Sequence, residues 1–247
     1  MPKIAIIGAG SIIFCKTLLN DLFTVPALSG STYALMGPTM WKLEKMKTYA
    51  DQIIEKNDLD AHVYCTTDRR EALKDAKYVI LMFQVGGVEA FKYDYEIPMK
   101  HGVDQCIADS LGPGGVFRAL RTAPVLLGIG EDVAELCPDA YVLNYVNPMG
   151  AVCTTAGMAT NMKMVGLCHG VQTTLDLIAG YTDVDKDEID YLCAGINHMA
   201  WFLKLEKDGV DLYPKLKANF EKPEYYKNEK VRGEVMRHCG YFMTEST

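Results

Sequence analysis

The pattern of apolar and polar positions is most informative at the N-terminus. Residues 3–7 (KIAII) run apolar after a single lysine, Gly8-Ala9-Gly10-Ser11 follows, and then Ile12, Phe14, Leu18, Leu19 and Leu22 recur at roughly helical spacing. This predicts strand, glycine turn, helix. The same alternation continues along the chain. A short strand is predicted at 33–36, an amphipathic helix at 41–56, a strand at 61–65 (AHVYC), a short helix at 71–76 and a buried strand at 78–83. A longer helix over 115–136, interrupted near Pro124, and strands at 140–145 and 164–167 complete the series. The strands are apolar throughout instead of alternating, so they predict a parallel sheet covered on both faces. From about residue 183 charge rises, and 200–205 (AWFLKL) predicts a strand leaving the first region. Two regions are therefore expected, 1–182 and 183–247.

Composition narrows the class. Of 247 residues, 49% are hydrophobic and 23% charged, as in an ordinary globular protein, and the net charge of -7 has no basic block. That argues against nucleic acid and anionic membrane as partners. No apolar run approaches the ~20 residues of a membrane span, and the N-terminal run is too short for a signal peptide. Eight scattered cysteines without a CxxC predict reduced thiols in a cytoplasm, mostly as small buried hydrophobes; Cys106 and Cys168 are among them.

Gly8-Ala9-Gly10-Ser11-Ile12-Ile13 matches GxGxxG except at its last position. The first glycine permits a tight turn, and the second lets backbone approach a pyrophosphate at a helix N-terminus. Ile13, in place of the third, implies slightly wider helix–strand packing. With a strand before and a helix after, the reading is a Rossmann-like, doubly wound, mostly parallel α/β sheet that binds a dinucleotide through Gly8, Gly10 and Ser11. The bland alternative is a bare glycine turn. The second strand ends Leu35-Met36-Gly37-Pro38-Thr39, without the acid that usually bonds the adenosine ribose. Lys42 and Lys45 could favour a 2′-phosphate or could be a solvated helix face; NAD is the preferred cofactor.

Ligands of such sheets lie beyond the carboxyl ends of the strands. Asp109, in DSLGPGG, is either a turn residue or a polar group facing that edge. Asn147, in NYVNPM, is either a turn residue before proline or an amide aimed at substrate hydroxyls. Cys168 and His169 follow a further strand, and His198 stands in GINHM. A lone histidine is more often a satisfied core residue, but Cys168 with His198 makes a candidate divalent-metal site: one thiolate, one imidazole, and positions open to substrate and water. Cysteine-nucleophile hydrolysis is the weakest reading, because neighbouring side chains on a strand point to opposite faces.

Taken together, GAGSxxF, DSLGPGG, NYVNPM, VGLCHG, CAGINHMAW and GYFMTES resemble glycoside hydrolase family 4, the NAD- and Mn2+-dependent glycosidases, and within it the melibiase-type α-galactosidase, α-glucuronidase and α-galacturonidase branch. The resemblance runs across essentially the whole chain, with the motifs in family order. It implies hydrolysis of an O-glycosidic bond by C3 oxidation, metal-assisted C2 deprotonation, elimination and water addition, an exception to the two-carboxylate scheme. It also implies that residues 183–247 are part of an α+β catalytic, substrate and dimerisation domain, and that the protein is a homo-oligomer. By the same resemblance Cys168 and His198 hold Mn2+, His169 protonates the leaving oxygen, Asp109 and Asn147 contact the sugar, and Gly8, Gly10 and Ser11 bind NAD. The C2 base falls near the end of the chain or beyond it, with Tyr241 the candidate and Glu245 another. Family members run considerably longer, so the chain is expected to be C-terminally short. Two alternatives are an NAD-dependent 2-hydroxyacid dehydrogenase, which would need an arginine such as Arg118 or Arg121 to grip a carboxylate, and a truncated, non-catalytic NAD-binding protein.

Overall fold

The computed structural model describes residues 1–105 and 108–245; Cys106 lies outside them. By contacts the chain divides into two compact units, Met1–Leu167 and Cys168–Thr247.

The first unit runs β1 (Lys3–Ile7), α1 (Ile12–Thr24), β2 (Thr32–Met36), α2 (Met40–Lys56), β3 (His62–Thr66), α3 (Arg69–Leu73), β4 (Tyr78–Leu81), α4 (Gly87–Lys100), α5 (Gly112–Leu136), β5 (Tyr141–Asn144), α6 (Met149–Ala159) and β6 (Lys163–Gly166). Its six strands are parallel, in the order β3-β2-β1-β4-β5-β6. The order reverses at β1/β4, the switch point where such sheets bind ligands. Both faces are covered. Ile4 and Ile6 of β1 pack with Leu19, Leu35 and Leu43, whereas Ala5 and Ile7 pack with Val79, Leu126 and Ile129.

Two details differ from the sequence reading. Helix α5 runs unbroken through Pro124. Proline removes one backbone donor, but burial of Leu126, Ile129 and Val133 holds the helix on the sheet. Ile13 is 77% exposed, so its bulk is not wedged between α1 and the strands and the wider packing is not required.

The second unit comprises α7 (Gly170–Thr182), the antiparallel hairpin β7 (Asp190–Ile196) and β8 (Met199–Lys207), β9 (Val210–Asp211), α8 (Tyr213–Phe220), α9 (Pro223–Tyr226), α10 (Lys230–Cys239) and β10 (Phe242–Met243). Strand β8 is central, pairing with β7, β9 and β10. The contact division falls before α7 instead of at 182/183, because Leu175 and Ile178 of α7 pack with Phe202, Leu205, Leu216, Phe220 and Phe242. In the hairpin Ile196 pairs with Met199, which leaves Asn197-His198 as a two-residue turn. Farther down, Leu192 pairs with Lys204 and Cys193 with Phe202, so Leu203 is an extra, unpaired residue. The seven described cysteines are free thiols, and among the described residues no helix is long and apolar enough to cross a membrane.

Candidate functional site

In the first unit the strand ends open into a cleft of ≈ 890 Å³. Gly8, Gly10 and Ser11 line it together with Gly37, Thr39, Lys42, Phe83, Gln84, Asp109, Arg118, Tyr145 and Asn147. The turn after β1 is folded onto its neighbours: the N–H groups of Gly8 and Ala9 both donate to the Met36 carbonyl, at 2.8 and 3.0 Å. Gly8 has φ +98°, and a Cβ there would stand 2.7 Å from the Phe83 nitrogen and 2.8 Å from the Met82 carbonyl. Only glycine lets the turn approach β4 this closely. Ser11 caps α1, its Oγ accepting from the Phe14 N–H at 3.4 Å. The first turn of α1 carries no acid, and its N–H groups lack helical acceptors. These are the features that receive a pyrophosphate, so a dinucleotide fits.

Across the cleft, Asp109 is held from three sides. Asn147 Nδ2 donates to its Oδ2 at 3.1 Å, Arg118 Nη1 lies 3.3 Å from the same oxygen, and Ser110 Oγ donates to Oδ1 at 3.1 Å. The loop is pressed onto the start of α5: a Cβ at Gly114 would meet the Ala108 carbonyl at 2.4 Å. Burial lowers the proton affinity of Arg118, and Asp109 and then Asp94 oppose this. Asp94 itself is only 1% exposed and is paired with Arg121, whose Nη1 and Nη2 donate to its two oxygens at 2.9 and 2.5 Å. Arg121 therefore serves the scaffold, while Arg118 reaches the cleft.

In the second unit Cys168 precedes α7, and the Gly170 N–H points at its Sγ from 3.4 Å. A hydrogen bond from His198 holds the thiol below its ordinary range; burial opposes this, and Gly170 and the Asn197 side chain add to it. His198 sits at the hairpin turn with φ +103°, rare for a residue with a side chain. Its Nδ1 is 3.2 Å from Glu245 Oε1. Asn197 Oδ1 is buried without a hydrogen-bond partner among the described residues. The segment carrying Glu245 is tied down by Arg232, 7% exposed, which donates to the Met243 carbonyl at 3.1 Å and the Thr244 carbonyl at 2.6 Å and pairs with Glu229 at 2.6 Å.

A thiol biased toward thiolate, an imidazole and an unsatisfied amide oxygen fit a divalent cation. The described residues hold no group of three or more His, Cys, Asp or Glu that could bind a metal, so Cys168 and His198 are a donor pair that other ligands would complete.

The first unit thus gathers Gly8, Gly10, Ser11, Asp109 and Asn147 around one cleft, and the second gathers Cys168 and His198. His169 is exposed, its carbonyl accepting from the Thr173 N–H at 2.9 Å. Tyr241 faces a different cleft of its unit, with Lys204, Glu206, Asp211 and Lys217, and packs edge-on against Tyr213. Glu245, the other candidate base, lies instead against the imidazole of His198. Two contributors escape sequence reading: Asn197 looks like any turn residue, and Arg232 like a solvated charge in a polar helix. Arg118 enters the sequence reading only as a grip on a carboxylate substrate, and nothing there foresees its place beside Asp109.

The sequence model described as "Family 4 glycosyl hydrolase" matches residues 3–184, and that of the "Family 4 glycosyl hydrolase C-terminal domain" matches 193–247. An alpha-galactosidase of Bacillus subtilis (strain 168) is 41% identical over 249 residues, covering 100% of this chain and 58% of that protein. An alpha-galactosidase of Rhizobium meliloti (strain 1021) is 42% identical over 247 residues, covering 99% and 50%. The chain therefore spans about half the length of these curated relatives. Among solved structures, a 6-phospho-alpha-glucosidase from gut microorganisms, in complex with NAD and Mn2+, superposes with TM-score 0.86 at 18% identity, covering 98% of this chain and 59% of that one. Lactate dehydrogenase from Eimeria maxima, with NADH and oxamate, superposes with TM-score 0.61 at 16% identity, covering 98% and 70%. At these identities the superpositions speak for the fold alone.

Proposed function

This chain belongs to glycosyl hydrolase family 4, and on that premise we propose that it works in the hydrolysis of α-galactoside-like O-glycosidic bonds with NAD and a divalent cation such as Mn2+. The observation that carries the reading is the cleft of the first unit, where a pyrophosphate-receiving turn and the Asp109–Arg118–Asn147 set line one cavity. A redox cofactor there would share its cleft with groups suited to sugar hydroxyls. The two alpha-galactosidases at 41% and 42% identity support the substrate class, and the match to the family model, together with the pyrophosphate-receiving turn and the Cys168–His198 donor pair, supports the cofactors.

Bound NAD+ supplies reversible hydride acceptance at the sugar's C3, and the cation supplies polarisation of the resulting carbonyl, which acidifies C2. The chain's own residues do the rest. The turn at Gly8, Gly10 and Ser11 receives the pyrophosphate. Asn147 and Asp109, already locked to one another, orient the hydroxyls. Cys168 and His198 hold the cation, and the hydrogen bonds that favour the thiolate prepare Cys168 for it. His169, exposed at the start of α7, protonates the leaving oxygen. The C2 proton goes to a base near the end of the chain: Glu245 already lies against His198, whereas Tyr241 would have to turn from Tyr213 and its own cleft. Arg118 is committed to Asp109, which leaves the dehydrogenase alternative without its carboxylate grip. A homo-oligomer in the cytoplasm suits this reading.

The test is hydrolysis of p-nitrophenyl α-galactoside with and without NAD+, Mn2+ and reductant. Turnover is expected to need both cofactors and to be lost in Cys168→Ser. Turnover that survives removal of both would refute the proposal. Solvent deuterium exchange at C2 provides a separate check on the elimination route.

A further inference from the structure

The adenosine end of the cleft is built unlike the dinucleotide site that the proposed function assumes. In such sites the residue ending the second strand faces the ribose, and a carboxylate there bonds the 2′-hydroxyl and repels a 2′-phosphate. Here the position is Gly37, and the geometry of the turn places it correctly: a Cβ on Gly37 would stand 3.9 Å from the Gly10 nitrogen and 3.3 Å from Leu43 Cδ2. The position is thus beside the pyrophosphate turn but carries no charge. The start of α2, just beyond it, is cationic. Lys42 lines the cleft, and its stem lies against the turn, with its Cβ and Cδ 3.4 and 3.6 Å from where a Cβ of Gly10 would be. Trp41, 56% exposed, also lines the cleft, with the ammonium groups of Lys42 and Lys45 5.6 and 5.0 Å from its ring. Thr39 precedes α2 and makes no side-chain capping bond there. Asp109 is the one carboxylate among the described residues that line the cleft, and it is tied to Arg118 and Asn147. Glu44, on the same helix as Lys42, is exposed and does not line the cleft.

We infer that this cleft accepts a 2′-phosphorylated dinucleotide, NADP(H), and binds it more tightly than NAD(H), with Lys42 and Thr39 holding the 2′-phosphate and Lys45 reinforcing the field. The inference rests on the proposed dinucleotide site. It adds that the missing acid is a change of specificity and not a loss of binding. A phosphate carries nearly two negative charges at neutral pH, and lysine meets it as a point charge.

Calorimetric titration of the intact chain decides it, using NAD+, NADP+, adenosine 5′-phosphate and adenosine 2′,5′-bisphosphate. NADP+ is expected to bind roughly tenfold or more tighter than NAD+, the size of one charge-assisted contact, with the advantage shrinking as salt rises. The bisphosphate should beat the monophosphate likewise. Lys42→Ala, at an exposed helix position where alanine is well tolerated, should lower NADP+ affinity about tenfold more than it lowers NAD+ affinity, and an unchanged NADP+/NAD+ ratio would count against the assignment. Gly37→Asp should reverse the preference, with Gly37→Ala controlling for bulk. NAD+ bound tighter than NADP+ by the wild-type chain overturns this inference and leaves the glycosidase reading intact. Failure of both nucleotides to bind overturns both. NADP+ preference in a chain that hydrolyses no glycoside upholds the inference and removes the glycosidase reading.

Discussion

Replacing Gly8 by alanine tests whether the turn after β1 is held by close packing or is merely a flexible link. The new methyl would be placed 2.7 Å from the Phe83 nitrogen and 2.8 Å from the Met82 carbonyl, both backbone atoms that cannot swing aside, on a residue with φ +98°. The backbone conformation alone costs about 1–3 kcal/mol for a residue with a side chain, and forcing β4 away costs about 1–3 kcal/mol more. A loss near 4 kcal/mol lowers the melting temperature of a chain this size by on the order of 10 °C. Gly10→Ala is the matched control. Its methyl would meet only the stem of Lys42, at 3.4 and 3.6 Å, a flexible side chain on an exposed position, so stability should change by less than about 1 kcal/mol. Yet that methyl would stand where backbone must approach the pyrophosphate, so dinucleotide affinity should fall at least about tenfold. Thermal unfolding followed by circular dichroism and calorimetric titration read the two effects separately. If Gly8→Ala melts within about 2 °C of the parent, or if Gly10→Ala binds dinucleotide as the parent does, the packing argument is wrong.

Three further outcomes are expected. Arg232→Met strips the Met243 and Thr244 carbonyls and Glu229 of their buried cation and should cost about 3–5 kcal/mol in urea unfolding; an unchanged midpoint would show that the clamp is idle. Alkylation of Cys168 by iodoacetamide in the metal-free chain, followed by peptide mass spectrometry, should reach half its limiting rate at a pH below the ordinary thiol range. His198→Ala deletes the bond that favours the anion, so it should move that midpoint upward, and an unmoved midpoint contradicts the assignment. Asn147→Ala removes one of three contacts to Asp109; stability should change by about 1 kcal/mol while galactoside hydrolysis falls at least about a hundredfold, and a large stability loss with hydrolysis intact would reverse the role.

The doubly wound sheet could be read from the sequence because its signals are local. Apolar strands such as KIAII and YVIL, the glycine turn and the amphipathic residues of α2 each declare themselves within a few positions. Helix α6 does not, since MGAVCTTAGMA is small and nearly uniform in polarity and presents no stripe. Cys168 and His198 could be named as a pair through their chemistry and motif context. Supporting residues could not: Arg118, beside Asp109 in the first unit, and Arg232, beneath the Glu245 segment in the second, take on meaning only when tertiary structure buries them against a carboxylate or a carbonyl. Pro124 misled for the related reason that packing outweighed a lost hydrogen bond. AWFLKL was legible as a strand, but its irregularity was not: Phe202 and Leu205, three apart, are both buried.

That odd spacing reaches as far as the imidazole. Leu203, unpaired between the two registers of the hairpin, works as a phase shifter. It lets the lower ladder keep Leu205 in the core while the upper ladder, counted from Phe202, sets which two residues form the bend. The position of His198 is therefore addressed from the nearest core anchor and not from the base of the strand. Deletion of Leu203 would restore strict alternation between Phe202 and the leucine after it. A single residue added above it, between Cys193 and Ile196 or between Met199 and Phe202, has nowhere to go but the tip, and would carry the imidazole out of reach of the thiol.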